Sequence, residues 1–84
     1  MSEVTQTTIT NTIRKLRFER NEMTQQDLAE RVGVTRQTIN AIELGKYSPS
    51  LEVAFRIAVA LGVRLEQVFA YGENGARAAP GGDA

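Results

Sequence analysis

With 84 residues, 42% of them hydrophobic, and neither cysteine nor histidine, the chain suits one folded domain with a modest core; zinc sites, thiol nucleophiles, Ser-His triads and disulfides are excluded, and no cofactor or enzymatic role is expected. Formal charge sums to zero, yet between Ile9 and Ala70 nine Lys/Arg stand against seven Asp/Glu, a surplus of two that permits a basic face without naming a partner. No apolar run approaches the roughly 20 residues that span a bilayer, and the polar start from Met1 to Gln6 lacks the regions of a secretory signal, so a cytoplasmic location is expected.

In chain order, residues 1–8 are polar and Thr-rich and read as a flexible arm, although Val4 to Ile9 has some strand propensity. Ile9, Ile13 and Leu16 form the first helical stripe, which ends near Arg20-Asn21-Glu22. Thr24 caps the second helix, with Asp27 three residues on as its capping-box partner. Leu28, Ala29 and Val32 continue that helix inward, and Gly33 stops it. Thr35 opens a third helix carrying Ile39 and Ile42 and closed by Gly45. Pro49 disfavours helix at Ser48, so Lys46 to Pro49 is a loop. Ser50 caps a fourth helix, Leu51 to Leu61, with Ala54, Ile57, Ala58 and Leu61 facing inward and Gly62 ending it. Leu65 to Phe69 makes a short fifth helix. The tract 72–84 is small and polar, and is read as a flexible tail. The domain therefore occupies residues 9–71, an all-α fold of five short helices.

The informative stretch runs from Gln25 to Ile42, QQDLAERVGVTRQTINAI. Ala29, Gly33, Ile39 and Ile42 have the spacing of a helix-turn-helix, in which two short helices cross steeply over a tight turn. Ala29 is small because the second helix lies against it, and Gly33 accepts the positive φ at which the first helix breaks. On a wheel of about 100° per residue counted from Arg36, Ile39 and Ile42 define an inner direction near 270°. Arg36, Gln37 and Asn40 fall outward. They match the side chains that read guanine and adenine edges in a major groove, and they begin at the helix N-terminus, where such reading occurs. The plain alternative is a solvated helix face.

Thr38 flanks the inner side, so it is structural first and a contact second. Gln25 and Thr35, at helix starts, stand where free backbone N–H groups favour a phosphate oxygen. Lys46 and Tyr47, just past the third helix, are either phosphate contacts that set register or loop decoration. Glu43 lies beside Ile39 and, half buried, needs a cation. Phe55, Val59, Val68, Phe69 and Tyr71 exceed what so small a core buries; they form a dimer interface, with short strands from Val4–Ile9 and Ala70–Gly72, or else complete the monomer core. A two-fold dimer sets two such helices about 34 Å apart on a palindromic site.

The stretch Leu16 to Phe69, with MTQQDLA, VTRQTI and GKYSPSLE, resembles the Cro/cI (XRE) helix-turn-helix family, in particular its minimal single-domain regulators. The resemblance implies a five-helix, lambda-repressor-like bundle that binds operator double-stranded DNA as a homodimer, with Gln25 on phosphate and Arg36, Gln37 and Asn40 facing bases. It further implies an ion pair between an arginine of the first helix and a glutamate late in the third, here Arg17 and Glu43. The chain departs from the family by one extra residue between Arg17 and Met23, and by Arg64 where proline is frequent. A transcriptional repressor acting by operator occupancy is expected, with no small-molecule ligand evident. An antitoxin-like or partner-binding helix-turn-helix protein is the alternative.

Overall fold

The computed structural model describes residues 8–72, so the expected flexible arm and tail lie almost wholly outside the described residues. Its elements are β1 (Ile9–Asn11), α1 (Ile13–Glu19), α2 (Gln25–Val32), α3 (Arg36–Glu43), α4 (Leu51–Leu61), α5 (Leu65–Val68) and β2 (Phe69–Tyr71). The fold is mostly helical, with five helices and one small two-stranded sheet.

The sheet corrects the expected ends. Ile9 does not begin the stripe of α1; it opens β1, which runs antiparallel to β2 with Ile9 opposite Tyr71 and Asn11 opposite Phe69. Thr8, Ile9, Thr10 and Thr12 are β-branched, and such side chains fit a pleated surface better than a helical turn. Among the described residues strand pairing lies within one chain, between Ile9–Asn11 and Phe69–Tyr71, and residues 4–7 of the expected strand lie outside the described residues. The Gly72 amide donates to the Thr8 carbonyl at 2.8 Å, and the Thr12 amide to the Val68 carbonyl at 2.9 Å. The fifth helix stops at Val68 because Phe69 already has extended backbone, φ −121° and ψ 146°.

The core is a single cluster in which Ile13, Leu28, Val32, Ile39, Ile42, Ile57, Leu61 and Val68 are essentially inaccessible to solvent. Val68, expected among interface residues, is 1% exposed and packs within its own chain. As the last residue of α5, which packs against α4 and runs directly into β2, it has no free face to offer a partner. Phe69 is half-buried against the same core. Phe55, Val59 and Tyr71 do remain exposed.

Two arginines close helix ends that would otherwise leave carbonyls unpaired. Arg20 donates from Nε to the Leu61 carbonyl at 2.6 Å, at the end of α4. Arg56 donates from Nη1 to the Val32 carbonyl at 3.2 Å, at the end of α2. The extra residue between Arg17 and Met23 is absorbed in the turn after α1, where Asn21 and Glu22 take left-handed φ values of 61° and 57°. Met23 returns to the core beyond that turn.

Candidate nucleic-acid interface

The two helices of the motif are set by local chemistry. The Thr24 hydroxyl accepts from the Asp27 amide at 2.9 Å, and the Asp27 carboxylate accepts from the Thr24 amide at 3.2 Å, a closed capping box that starts α2. Gly33 ends it at φ +90°, a left-handed conformation that L side chains resist. Its amide and that of Val34 both donate to the Ala29 carbonyl, at 2.8 and 3.1 Å. Thr35 then caps α3, accepting on its hydroxyl from the Thr38 amide at 3.1 Å. Its hydroxyl also lies 3.0 Å from that of Thr38, so both threonines hold the turn.

Burial along α3 follows the wheel. Ile39 and Ile42 are buried, Thr38, Ala41 and Glu43 are half-buried, and Arg36, Gln37 and Asn40 are exposed. A helix with its side chains is about 10–12 Å across, a thickness that a major groove about 12 Å wide can admit. Among the described residues neither Arg36 nor Gln37 has a side-chain hydrogen-bond partner, so their donors and acceptors face solvent. Lys46 and Tyr47 are exposed in the loop beyond α3. Its turn is formed by Gly45 at φ +76° and the Lys46 amide donating to the Ala41 carbonyl at 2.9 Å.

Behind this face lies a polar network. The Arg17 guanidinium grips Glu43 with Nε at 2.7 Å and Nη2 at 3.3 Å, both side chains about one-tenth exposed. Its Nη1 donates to the Met23 carbonyl at 2.8 Å. Gln25, the first residue of α2, donates from Nε2 to Glu43 Oε1 and to Asn40 Oδ1, each at 3.1 Å. Arg17, Gln25, Asn40 and Glu43 thus join α1, α2 and α3. Asn40 is exposed, one lone pair of its Oδ1 is engaged by Gln25, and its amide N–H groups have no partner among the described residues, so both donor and acceptor capacity remain.

Four participants escaped the sequence reading. Asn11 of β1 donates from Nδ2 to the Ile42 carbonyl at 2.9 Å and accepts from the Ile13 amide at 3.1 Å, tying the sheet to the last turn of α3. Phe18 and Leu44 are large apolar side chains about half exposed, 52% and 55%, beside this network. Arg14 lies over the Phe18 ring, its Cζ 5.6 Å from the centroid. A wheel of α1 places Arg14 and Phe18 outward but cannot say what they face.

The profile of the helix-turn-helix family matches residues 13–68. An uncharacterized HTH-type transcriptional regulator of Methanocaldococcus jannaschii is 52% identical over 62 residues, which span 71% of this chain and 94% of the relative. One from Methanothermobacter thermautotrophicus is 61% identical over 56 residues, 66% of this chain and 81% of the relative. Among solved structures, a protein of Bacteroides fragilis described as DNA-binding superposes with a TM-score of 0.65 at 30% identity, over 73% of this chain and 97% of that one. A hypothetical transcription factor from Neisseria gives 0.61 at 29% identity, over 66% and 61% respectively. Profile, relatives and fold agree: the chain belongs to the XRE-type helix-turn-helix family of transcriptional regulators.

Proposed function

We propose that this regulator binds operator DNA in the cytoplasm as a two-fold dimer and represses by occupying the site. In this reading α3 enters the major groove, with Arg36, Gln37 and Asn40 on base edges and Thr38 at the margin of the contact. Gln25, through the backbone amide that opens α2 because its side-chain N–H groups are held by Glu43 and Asn40, meets the flanking phosphates together with Thr35, Lys46 and Tyr47. The observation that carries it is the outer side of α3: three hydrogen-bonding side chains exposed together on a helix held rigidly by the Arg17–Glu43 network. A groove-reading helix must have such a side, and it must not be covered by its own chain.

Dimerisation is supported by the exposed apolar side chains Leu51, Phe55 and Val59 on α4 and Tyr71 on β2, between 50% and 77% accessible. Leu51, Phe55 and Val59 recur every fourth residue, so they form one stripe along α4. An isolated domain gains nothing from such a stripe, whereas a second copy buries it.

Selection from a random duplex library with the purified chain tests both parts. The expected product is an inverted repeat whose half-sites are about one helical turn apart. Recovery of no preferred sequence at low salt would overturn base reading. Sedimentation that finds only monomer at micromolar concentration, with and without the selected duplex, would overturn the dimer.

A further inference from the structure

We infer that Arg14, held against the Phe18 ring, forms a phosphate-binding site on α1 that grips the DNA backbone beside the bases read by Asn40. The inference rests on the proposed DNA reading and adds a contact that lies outside the helix-turn-helix.

Position comes first. Arg14, Phe18 and Leu44 line one surface depression with Gln25, Asn40 and Glu43. The depression therefore borders the outer side of α3 at Asn40, so a duplex seated on that side brings a strand of phosphates past it. Charge points the same way. Within the depression Arg17 is neutralised by Glu43 at 2.7 Å. Arg14 is exposed and, among the described residues, has no carboxylate partner. Elsewhere Arg56 and Arg64 are each matched to a glutamate, at 3.0 and 2.9 Å. The local balance is one uncompensated cation, facing the side where a polyanion would lie.

The means of holding Arg14 is the third part. A carboxylate would fix the guanidinium but spend its charge and its N–H groups. An aromatic ring attracts the cation through its negative face and leaves the edge N–H groups free for an anion. Phe18, about half exposed, has little reason to face solvent other than to support this side chain. Arg17 Cζ also lies 5.8 Å from the same centroid, so one ring is shared by the paired and the unpaired arginine. The ring thus limits where Arg14 can reach before DNA arrives.

The test is a titration of the full chain against its selected duplex and an unrelated one, between about 50 and 200 mM salt. One lost phosphate contact lowers the salt slope by about 0.9, so Arg14→Ala should lose about 3.5-fold less affinity than the parent across that range. It should weaken both duplexes by the same factor. Arg14→Lys keeps the charge and should restore the slope, while Phe18→Leu should weaken binding with the slope intact. Because Arg14 and Phe18 are exposed, all three variants should melt within a few degrees of the parent. An Arg14→Ala slope equal to the parent's overturns the inference alone. A loss confined to the selected duplex also overturns it, since that signals base reading or a displaced Asn40. A parent chain that binds no duplex overturns this inference and the DNA reading together.

Discussion

Replacing Glu43 by Ala tests how firmly α3 is held. The carboxylate accepts from Arg17 at 2.7 and 3.3 Å and from Gln25 at 3.1 Å. Once it is gone, the guanidinium stays buried, with the Met23 carbonyl at 2.8 Å as its remaining partner. Breaking a buried pair on one side costs about 3–5 kcal/mol, because the other charge is left uncompensated. For residues 8–72, stability at the usual value per residue is about 3–10 kcal/mol, so the loss is a large share of the total. In a domain of this size each kcal/mol lowers the melting temperature by about 4–8 °C, which gives a fall of at least about 12 °C. Thermal melts followed by circular dichroism measure it.

A companion variant separates charge from packing. Arg17→Met with Glu43→Leu removes both charges and fills the space with apolar groups, an exchange that is often neutral or stabilising. It should melt near the parent. Binding of the selected duplex should nevertheless stay weak, because Gln25 has lost the carboxylate that steadies it against Asn40. A Glu43→Ala melt within about 3 °C of the parent would refute the reasoning, as would a double variant no more stable than the single one.

Gly33→Ala should destabilise by about 1–2 kcal/mol. An added Cβ would meet Arg56 Nη1 at an ordinary 3.5 Å, so the penalty is the positive φ and not a clash, and Gly33→Asn should be milder in the same melts. Asn11→Ala removes two partly buried hydrogen bonds and should cost about 1–3 kcal/mol. Its selected half-site should also relax where Asn40 reads more than where Arg36 does. In binding assays, Arg36→Ala should cost about 1–3 kcal/mol and relax one half-site position. Lys46→Ala should instead weaken every sequence alike and flatten the salt dependence. Identical losses for these two variants on all sequences would break the division between base and phosphate contacts.

The centre of the fold was legible because its signals are local. Thr24 with Asp27, Gly33 and Thr35 each act within four residues, so spacing alone set both limits of α2 and the start of α3, whereas α3 ends at Glu43 with Leu44 as its cap, just short of the expected Gly45. The outer side of α3 followed from a single angular count. The ends of the fold were not legible for the same reason. Three residues of period two in β1 are a weaker signal than the stripe Ile9, Ile13, Leu16, and their partner strand lies some sixty residues away. Val68 looked surplus to the core because its burial depends on where α5 docks. The roles of Arg20 and Arg56 had no local signal, since the carbonyls they close belong to other helices. The Arg17–Glu43 pair entered through family resemblance and not through spacing, because 26 residues separate its members.

These long-range contacts are not spread evenly over α3. Its first turn is fixed from within the motif, by the Thr35 cap and the Gly33 turn. Its last turn is fixed from outside, by Asn11 on the Ile42 carbonyl and Arg17 on Glu43. Arg36 and Gln37 therefore depend on the turn, whereas Asn40 depends on α1, β1 and Gln25. Because β1 is paired to β2, and Tyr71 of β2 lies exposed at the edge of that sheet, any partner copy that moved the sheet would act on the Asn40 end first. If the proposed dimer forms and the proposed base contacts are made, the two share one mechanical element, the short path from Tyr71 through Ile9 and Asn11 to Ile42.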